Sequence, residues 1–460
     1  MTVQNTDRRI QIFEEYPVPK AVMTLVAPSI AGMLVMMLYN LADTWFVGML
    51  DDAYETAAVS LVAPVILAFN AVNNMFGVGG SSLMSRALGY KDYDKVARTS
   101  AFSVWGAIVA GIAFSAIVIA FQNPVMKLIG ADGLNWEPTL QYLRYTVMWG
   151  AMPSILNVVM GFLIKAEGSA MLASIGTISG CVLNVILDPF FILPQFLGMG
   201  AAGAGLATFI SNCVACLYFF VLIAKRGKKS FVCIDPKKAI PRDGIAKEVF
   251  AVGIPSAIQN LLNVTGMTIL NNFAAEFGSA AVSAMGISHK VCMLPLYISM
   301  GFASGANPIA SYNYGSKNYK RAKDCVKFTA LIGLSVSIVI MVLYYLFSAQ
   351  IMGMFMKNEA IIDYGAVFIR SMCVGIPFLC IDFIGVGIYQ AFGYGKLALL
   401  FAIGRKLILE IPFTFLLNKV YPLYGLAWAQ TCTEFILGIV AVIVLSVMFK
   451  KLLDETSEEH

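Results

Sequence analysis

The sequence predicts an all-α membrane protein with twelve transmembrane helices in two pseudo-symmetric six-helix lobes, and three observations carry that prediction. Hydrophobic residues fill 59% of the 460 positions and charged residues only 13%, whereas a soluble chain carries about a quarter charged residues. Apolar stretches recur at close to the roughly 20 residues a helix needs to cross a bilayer core of about 30 Å. The chain is also written twice. Ser85-Arg86-Ala87-Leu88-Gly89-Tyr90-Lys91-Asp92-Tyr93-Asp94-Lys95 returns as Ser311-Tyr312-Asn313-Tyr314-Gly315-Ser316-Lys317-Asn318-Tyr319-Lys320-Arg321. Pro28-Ser29 returns as Pro255-Ser256, and Gly203-Ala204-Gly205-Leu206-Ala207 is echoed by Leu423-Tyr424-Gly425-Leu426-Ala427. A duplicated, membrane-sized apolar chain is the architecture of a secondary transporter, in which a site lies between two repeats that rock against each other.

The expected spans are 22–48, 57–85, 96–121, 139–164, 168–194 and 199–224, then 249–275, 280–310, 326–348, 362–391, 397–417 and 424–449. The longest have room to tilt or bend. Pro28 in the first span and Pro255 in the seventh each remove a backbone donor well inside an apolar helix, so both are kinks. Either proline serves as a fixed bend or as a hinge, and Pro28 is the hinge candidate. Gly176-x-x-x-Gly180 and Gly301-x-x-x-Gly305 permit close helix approach.

The first 21 residues are polar, and the apolar run after them is too long for a signal-peptide core. They form an expected cytoplasmic segment (1–21), followed by an N-lobe (22–224), a basic linker (225–248) with Pro236 and Pro241, a C-lobe (249–449) and a tail (450–460). Six spans per lobe is an even number, so the two lobes share one orientation and form a parallel repeat. Lys127, Lys357 and Lys419 are the basic residues near odd-to-even junctions. The other junctions and both tails carry many more, among them Lys225-Arg226, Lys228-Lys229, Lys320-Arg321 and Lys450-Lys451. The positive-inside rule therefore places both termini and the linker in the cytoplasm. That distribution explains the net charge of +5 without any nucleic-acid partner. Cys213 and Cys216 have CxxC spacing, but they lie mid-span without His or carboxylate company and read as small apolar fillers.

An ionisable side chain near the bilayer centre costs about 2.5–3.5 kcal/mol on insertion scales, so each one needs a reason. The N-lobe has Asp43 in span 1 and Asp188 in span 5. Both lie less than ~10 Å below the outer boundary at ~1.5 Å per residue, and Thr208 in span 6 is slightly deeper. Asn184 stands one turn before Asp188 on the same helix face, and Asn157 in span 4 adds an amide deeper in the lobe. Two carboxylates, an amide and a hydroxyl at similar depth form an oxygen-rich pocket. It suits a hard cation such as Na⁺, or a proton shared by two carboxylates that cannot both ionise cheaply in a dry site. Capping or cross-linking of helices is the structural alternative.

The C-lobe is less symmetric. Asp382, Glu410 and Glu434 fall inside spans 10, 11 and 12, with Arg405, Lys406 and Arg370 as candidate partners. Salt bridging and substrate binding both remain open for these acids. His289 is expected to pack rather than relay protons. Tyr39, Trp45, Phe69, Phe76, Trp149 and Phe162 are aromatics that either line a cavity for flat cations or face lipid.

Asn40-Leu41-Ala42-Asp43-Thr44 with Gly48, then Gly77-Val78-Gly79-Gly80-Ser81-Ser82 leading into Ser85-Arg86-Ala87-Leu88-Gly89, resemble the first two helices of multidrug and toxic compound extrusion (MATE) transporters. Asn184-Val185-Ile186-Leu187-Asp188-Pro189, and Arg405 with Pro412, are similar to motifs in its helices 5 and 11. The resemblance covers roughly 22–449 and is nearest the bacterial MepA-like branch. It implies two lobes in a V-shaped arrangement, no cofactor, and efflux of small organic cations and drugs in exchange for inward-moving Na⁺ or H⁺. It implies that Asp43, Asn184, Asp188 and Thr208 form the cation site, with Na⁺ as one candidate occupant and Asn157 alongside, and that Pro28 matches a bending proline. Asp382 matches an acidic position of one branch, whose second acid is expected near Asn263. Asn263 is an amide, which shifts the expected coupling site to the N-lobe. A monomer in the bacterial plasma membrane, in contact with membrane lipids, is the expected setting.

A lipid-linked precursor flippase of related architecture is the alternative. Its cleft is expected to carry more cationic side chains for phosphate groups, whereas the intramembrane charges here are predominantly acidic. An enzyme is not expected, because the chain has only two histidines and no HExxH or GxSxG motif at a water-facing place.

Overall fold

The computed structural model describes residues 8–458 except 51, 241 and 243; the side chains of 8, 228, 263–272, 274, 275 and 456–458 also lie outside the described residues. Among the described residues the chain is helical throughout, with no strand. After a short helix, Arg8–Glu14, come α1 (Val18–Gly48), α2 (Ala53–Gly89), α3 (Tyr93–Ala120), α4 (Trp136–Leu143, Arg144–Trp149 and Ala151–Ala166), α5 (Ala170–Ile192) and α6 (Ala201–Arg226). The second set is α7 (Ile245–Ala275), α8 (Ser279–Gly315), α9 (Tyr319–Leu346), α10 (Glu359–Cys373 and Ile376–Ala391), α11 (Gly395–Ile403, Gly404–Glu410 and Ile411–Val420) and α12 (Tyr424–Glu458). These match the twelve expected spans. Several helices overrun them: α8 continues past 310, α9 begins before 326 and α12 passes 449. Hydropathy marks only the stretch meant for lipid, while the helix itself runs on into polar sequence.

Among the described residues, eight helices are long and apolar enough to cross a membrane, and two bent pairs bring the number to ten. The bends fall at the same place in each repeat. Gly133–Trp149 meets Ala151–Ala166 at 47°, and Glu359–Cys373 meets Ile376–Ala391 at 47°. The α4 bend follows a π-helical turn, Arg144–Trp149, and α11 contains another, Gly404–Glu410. An inserted residue of this kind re-aims the side chains that follow it and is frequent at functional positions. The helices turn apolar faces outward: Val109, Ile112, Leu331 and Val442 are all more than half exposed, as lipid contact requires.

The chain forms two compact units, 34–257 and 1–33 with 258–460. Neither division falls in the 225–248 linker; both cut through a proline-bearing helix, α1 after Met33 and α7 after Ala257. In the 34–257 unit, α2 packs against α3, α4 and the first turns of α7. A Cβ on Gly79 would stand 2.2 Å from the Val249 carbonyl oxygen, and one on Gly253 would stand 2.0 Å from that of Met75, so only glycine lets these backbones meet. In the other unit, α8 is equally close to the start of α1: a Cβ on Gly301 or Gly305 would stand 2.7 Å from Ile30 Cα or 2.5 Å from Val26 Cα. Its core joins Ala284 and Met285 of α8, Phe368 and Ile369 of α10, and Leu426 of α12.

A buried carboxylate site and the family it belongs to

In the 34–257 unit the polar centre is built on α5 and α6. Asn184 and Asp188 are one turn apart on α5 and both fully buried. The Asn184 amide that satisfies all its neighbours donates to Asp188 Oδ2 at 3.1 Å, while its oxygen accepts from the Thr208 backbone N–H at 3.1 Å and the Thr208 hydroxyl at 3.3 Å. Pro189 follows immediately and withholds one backbone donor from the same turn. Asp43, half-buried on α1, acts electrostatically on Asp188. Tyr39, one turn before Asp43, lies beside the Thr208 side chain and within electrostatic reach of both acids. Asn184, Asp188 and Thr208 are thus joined by hydrogen bonds, and Asp43 and Tyr39 lie within electrostatic reach of Asp188.

One oxygen of each acid, Asp43 Oδ1 and Asp188 Oδ1, is shielded from solvent and has no hydrogen-bond partner among the described residues. Buried carboxylate oxygens normally find donors. An orphan pair beside an amide and two hydroxyls is chemically suited to hold a cation or a proton, because either would satisfy the missing interactions. Among the described residues no group of three or more His, Cys, Asp or Glu is arranged to hold a metal, so the donor set is a hard-oxygen one drawn partly from neutral side chains.

Asn157 sits apart in its bonding: its amide nitrogen donates to Asn212 Oδ1 of α6 at 3.2 Å, and its own Oδ1 has no partner among the described residues. Asn212 had no signal in the sequence beyond its amide. Tyr142, on the bent α4, is buried within electrostatic reach of Asp43, Tyr39 and Asp188. No spacing rule marks a tyrosine across a helix bend.

The acids of the other unit are paired. Arg405, in the π-helical turn of α11, forms a close ion pair with Glu434 of α12 and lies 3.8 Å from Asp382 of α10. Its guanidinium also stacks over the Phe383 ring at 5.0 Å. Lys406 holds both oxygens of Glu410 at 2.7 Å. Arg370 points elsewhere, donating to the Tyr345 carbonyl. His289 lies near Glu410 and Lys406 with its Nε2 unpartnered among the described residues. The side chain of Asn263 lies outside the described residues. Cys216 is a buried free thiol that donates to the Pro153 carbonyl, as a packing residue does.

The MatE family model matches this chain twice, at residues 28–190 and 255–416, once in each repeat. The chain belongs to the MatE family. Similar curated relatives are the multidrug export protein MepA of Staphylococcus aureus (strain MRSA252), 31% identical over 454 residues with 98% of this chain and 99% of the relative covered, and that of Staphylococcus saprophyticus, 29% identical over the same coverage. Among solved structures, a MATE transporter in complex with MaL6 superposes with a TM-score of 0.92 at 25% identity, covering 98% of this chain and all of that one. A MOP superfamily transporter from Pyrococcus furiosus, whose reverse binding-pocket polarity suggests a different function, reaches 0.90 at 25%, with 98% and 99% covered. This MATE chain is therefore a multi-pass membrane transporter of the multidrug export family, with the family's twelve helices in two lobes, and not an enzyme.

Proposed function

We propose that this MATE transporter is a secondary active antiporter that exports small organic cations in exchange for inward-moving Na⁺ or H⁺ by alternating access. The observation that carries the reading is the orphan oxygen pair on Asp43 and Asp188, set around the Asn184–Thr208 hydrogen bonds. An ionised carboxylate in a membrane span is costly unless neutralised. A site holding two of them changes its charge as it loads and unloads, and that change biases the two access states. In this reading Asp43, Asp188, Asn184, Thr208 and Tyr39 hold the coupling ion, Asn157 shapes the deeper wall, and Pro28 supplies the bend in α1. Both termini lie in the cytoplasm of a bacterial cell, and the monomer is the working unit.

The sign of the charge selects the cargo. The buried arginine and lysine of α11 are each matched to a carboxylate, which leaves this pair unavailable to a phosphate group, whereas the acids of α1 and α5 are unmatched. This favours organic cations over a lipid-linked phosphate cargo. The test is efflux of ethidium from cells expressing Asp43→Asn or Asp188→Asn at the parent's level. Both variants are expected to lose export. Undiminished efflux in either removes the coupling role assigned here.

A further inference from the structure

The duplicated motif that ends α2 and α8 is not used by the site above, yet its geometry repeats in detail. Lys91 and Lys317 both adopt the left-handed conformation, with φ of 59° and 55°. Around them the backbone closes the same way: Asp92 N–H donates to the Ala87 carbonyl at 3.0 Å and Asn318 N–H to that of Asn313 at 2.9 Å. This is a helix end closed by a left-handed residue. Asp92 and Asn318 then cap α3 and α9 by accepting from the N–H three residues on, that of Lys95 at 3.0 Å and of Arg321 at 3.2 Å. Ser85 and Ser311 donate to the carbonyls that end α4 and α10, Ala166 at 3.0 Å and Ala391 at 3.1 Å.

The last residue of the motif reaches outside that frame in both copies. Lys95 Nζ meets Glu248 Oε1, in the first turn of α7, at 2.7 Å. Arg321 grips the segment leading into α1. Its Nε donates to the Phe13 carbonyl at 2.6 Å, and an Nη donates to the Tyr16 carbonyl at 2.6 Å and the Ile12 carbonyl at 3.4 Å. These carbonyls belong to a helix end, where no intrahelical donor remains and a cation is favoured. Phe13 is buried and stacks on Tyr312 at 4.7 Å, and Tyr312 donates to Glu14 at 2.7 Å. So the same repeat position holds the start of a proline-bearing helix in each unit. α1 and α7 are also the two helices whose residues divide between units, just past Pro28 and Pro255.

We propose that the duplicated motif is a pair of latches in which Lys95 and Arg321 are positioning residues, holding the starts of α7 and α1 so that the transport cycle bends these helices against a fixed end. The inference rests on the transport function proposed above. It gives the motif a mechanical role, since a change at Asp43 moves a helix whose other end is pinned by Arg321. The Lys95–Glu248 pair is partly exposed, so salt screens it, while the Arg321 grip is threefold and directed at backbone.

The test uses the full chain in two assays. Hydrogen exchange reads the amides of 8–17, and ethidium efflux from proteoliposomes gives turnover and half-saturation separately, for Arg321→Ala, Arg321→Lys, Lys95→Glu, Glu248→Lys and the Lys95→Glu/Glu248→Lys double variant. Arg321→Ala is expected to speed exchange across 8–17 and to cut turnover roughly tenfold with half-saturation unchanged. Arg321→Lys keeps the charge but not the fork and is expected to remain slow. Each single charge reversal is slow, and the double variant recovers. Unchanged exchange in Arg321→Ala, full turnover despite faster exchange, or a double variant as slow as the singles would each overturn the latch. Failure of the parent chain to export ethidium counts instead against the proposed function, and the exchange assay then still decides whether Arg321 holds the segment.

Discussion

Replacing Arg405 with methionine tests whether the α10–α11–α12 network is held by charge. The Arg405 side chain is 8% exposed, and its partners Asp382 and Glu434 are 4% and 1% exposed, so water does not screen the interaction. Methionine fills much of the volume but leaves two carboxylates facing each other in an apolar span. Asp382 Oδ1 and Glu434 Oε2 already lack donors among the described residues, which leaves little local compensation. Breaking a buried ion pair by removing one partner costs about 3–5 kcal/mol, and the lost Phe383 stack acts in the same direction. The assay is reversible denaturation in mixed micelles, read by tryptophan fluorescence. Arg405→Met is expected to lose about 3–5 kcal/mol, and adding Asp382→Leu with Glu434→Met is expected to restore most of it, since apolar residues of similar volume replace a buried ion network at little cost. A loss below about 1 kcal/mol, the scale of an exposed pair, would show that charge does not hold this network, as would a triple variant no more stable than the single.

Two further outcomes follow from packing and capping. Gly79→Leu forces a side chain against the Val249 carbonyl, 2.2 Å from the first added carbon, and is expected to destabilise by about 1–3 kcal/mol or more, measured in the same assay. Glu167 is fully buried; it pairs with Arg226 and accepts from Ser169, Ser230 and the Phe231 N–H. Glu167→Ala is therefore expected to free the linker after α6, seen as trypsin cleavage within 227–240 that the parent resists.

Much of the fold was legible because lipid imposes a length and a composition on each helix. The doubled motif was legible because its two copies close and cap their helices in the same way. Asn184 and Asp188 were legible as a pair from their i, i+4 spacing alone. The crossing of α1 and α7 between units was not, because hydropathy reports that a helix is apolar and says nothing about which neighbours it chooses. Gly79 and Gly305 carry that choice; the Gly301-x-x-x-Gly305 spacing marks a close helix approach but does not say which helix approaches. Asn157 was set alongside the acids by the resemblance, although its place in span 4 puts it deeper in the lobe, and its bond goes to Asn212. Tyr142 comes within reach through the α4 bend after Arg144–Trp149, a change of helical register that leaves no mark in composition.

The proposed transport reaction exchanges an ion held by the unmatched carboxylates of α1 and α5 for exported cargo. It is tested most directly by ethidium export from proteoliposomes under separately imposed Na⁺ and H⁺ gradients, for the parent chain and Asp188→Asn. One imposed gradient is expected to drive export by the parent, and neither is expected to drive it in Asp188→Asn. Gradient-driven export by Asp188→Asn at the parent's rate would contradict it.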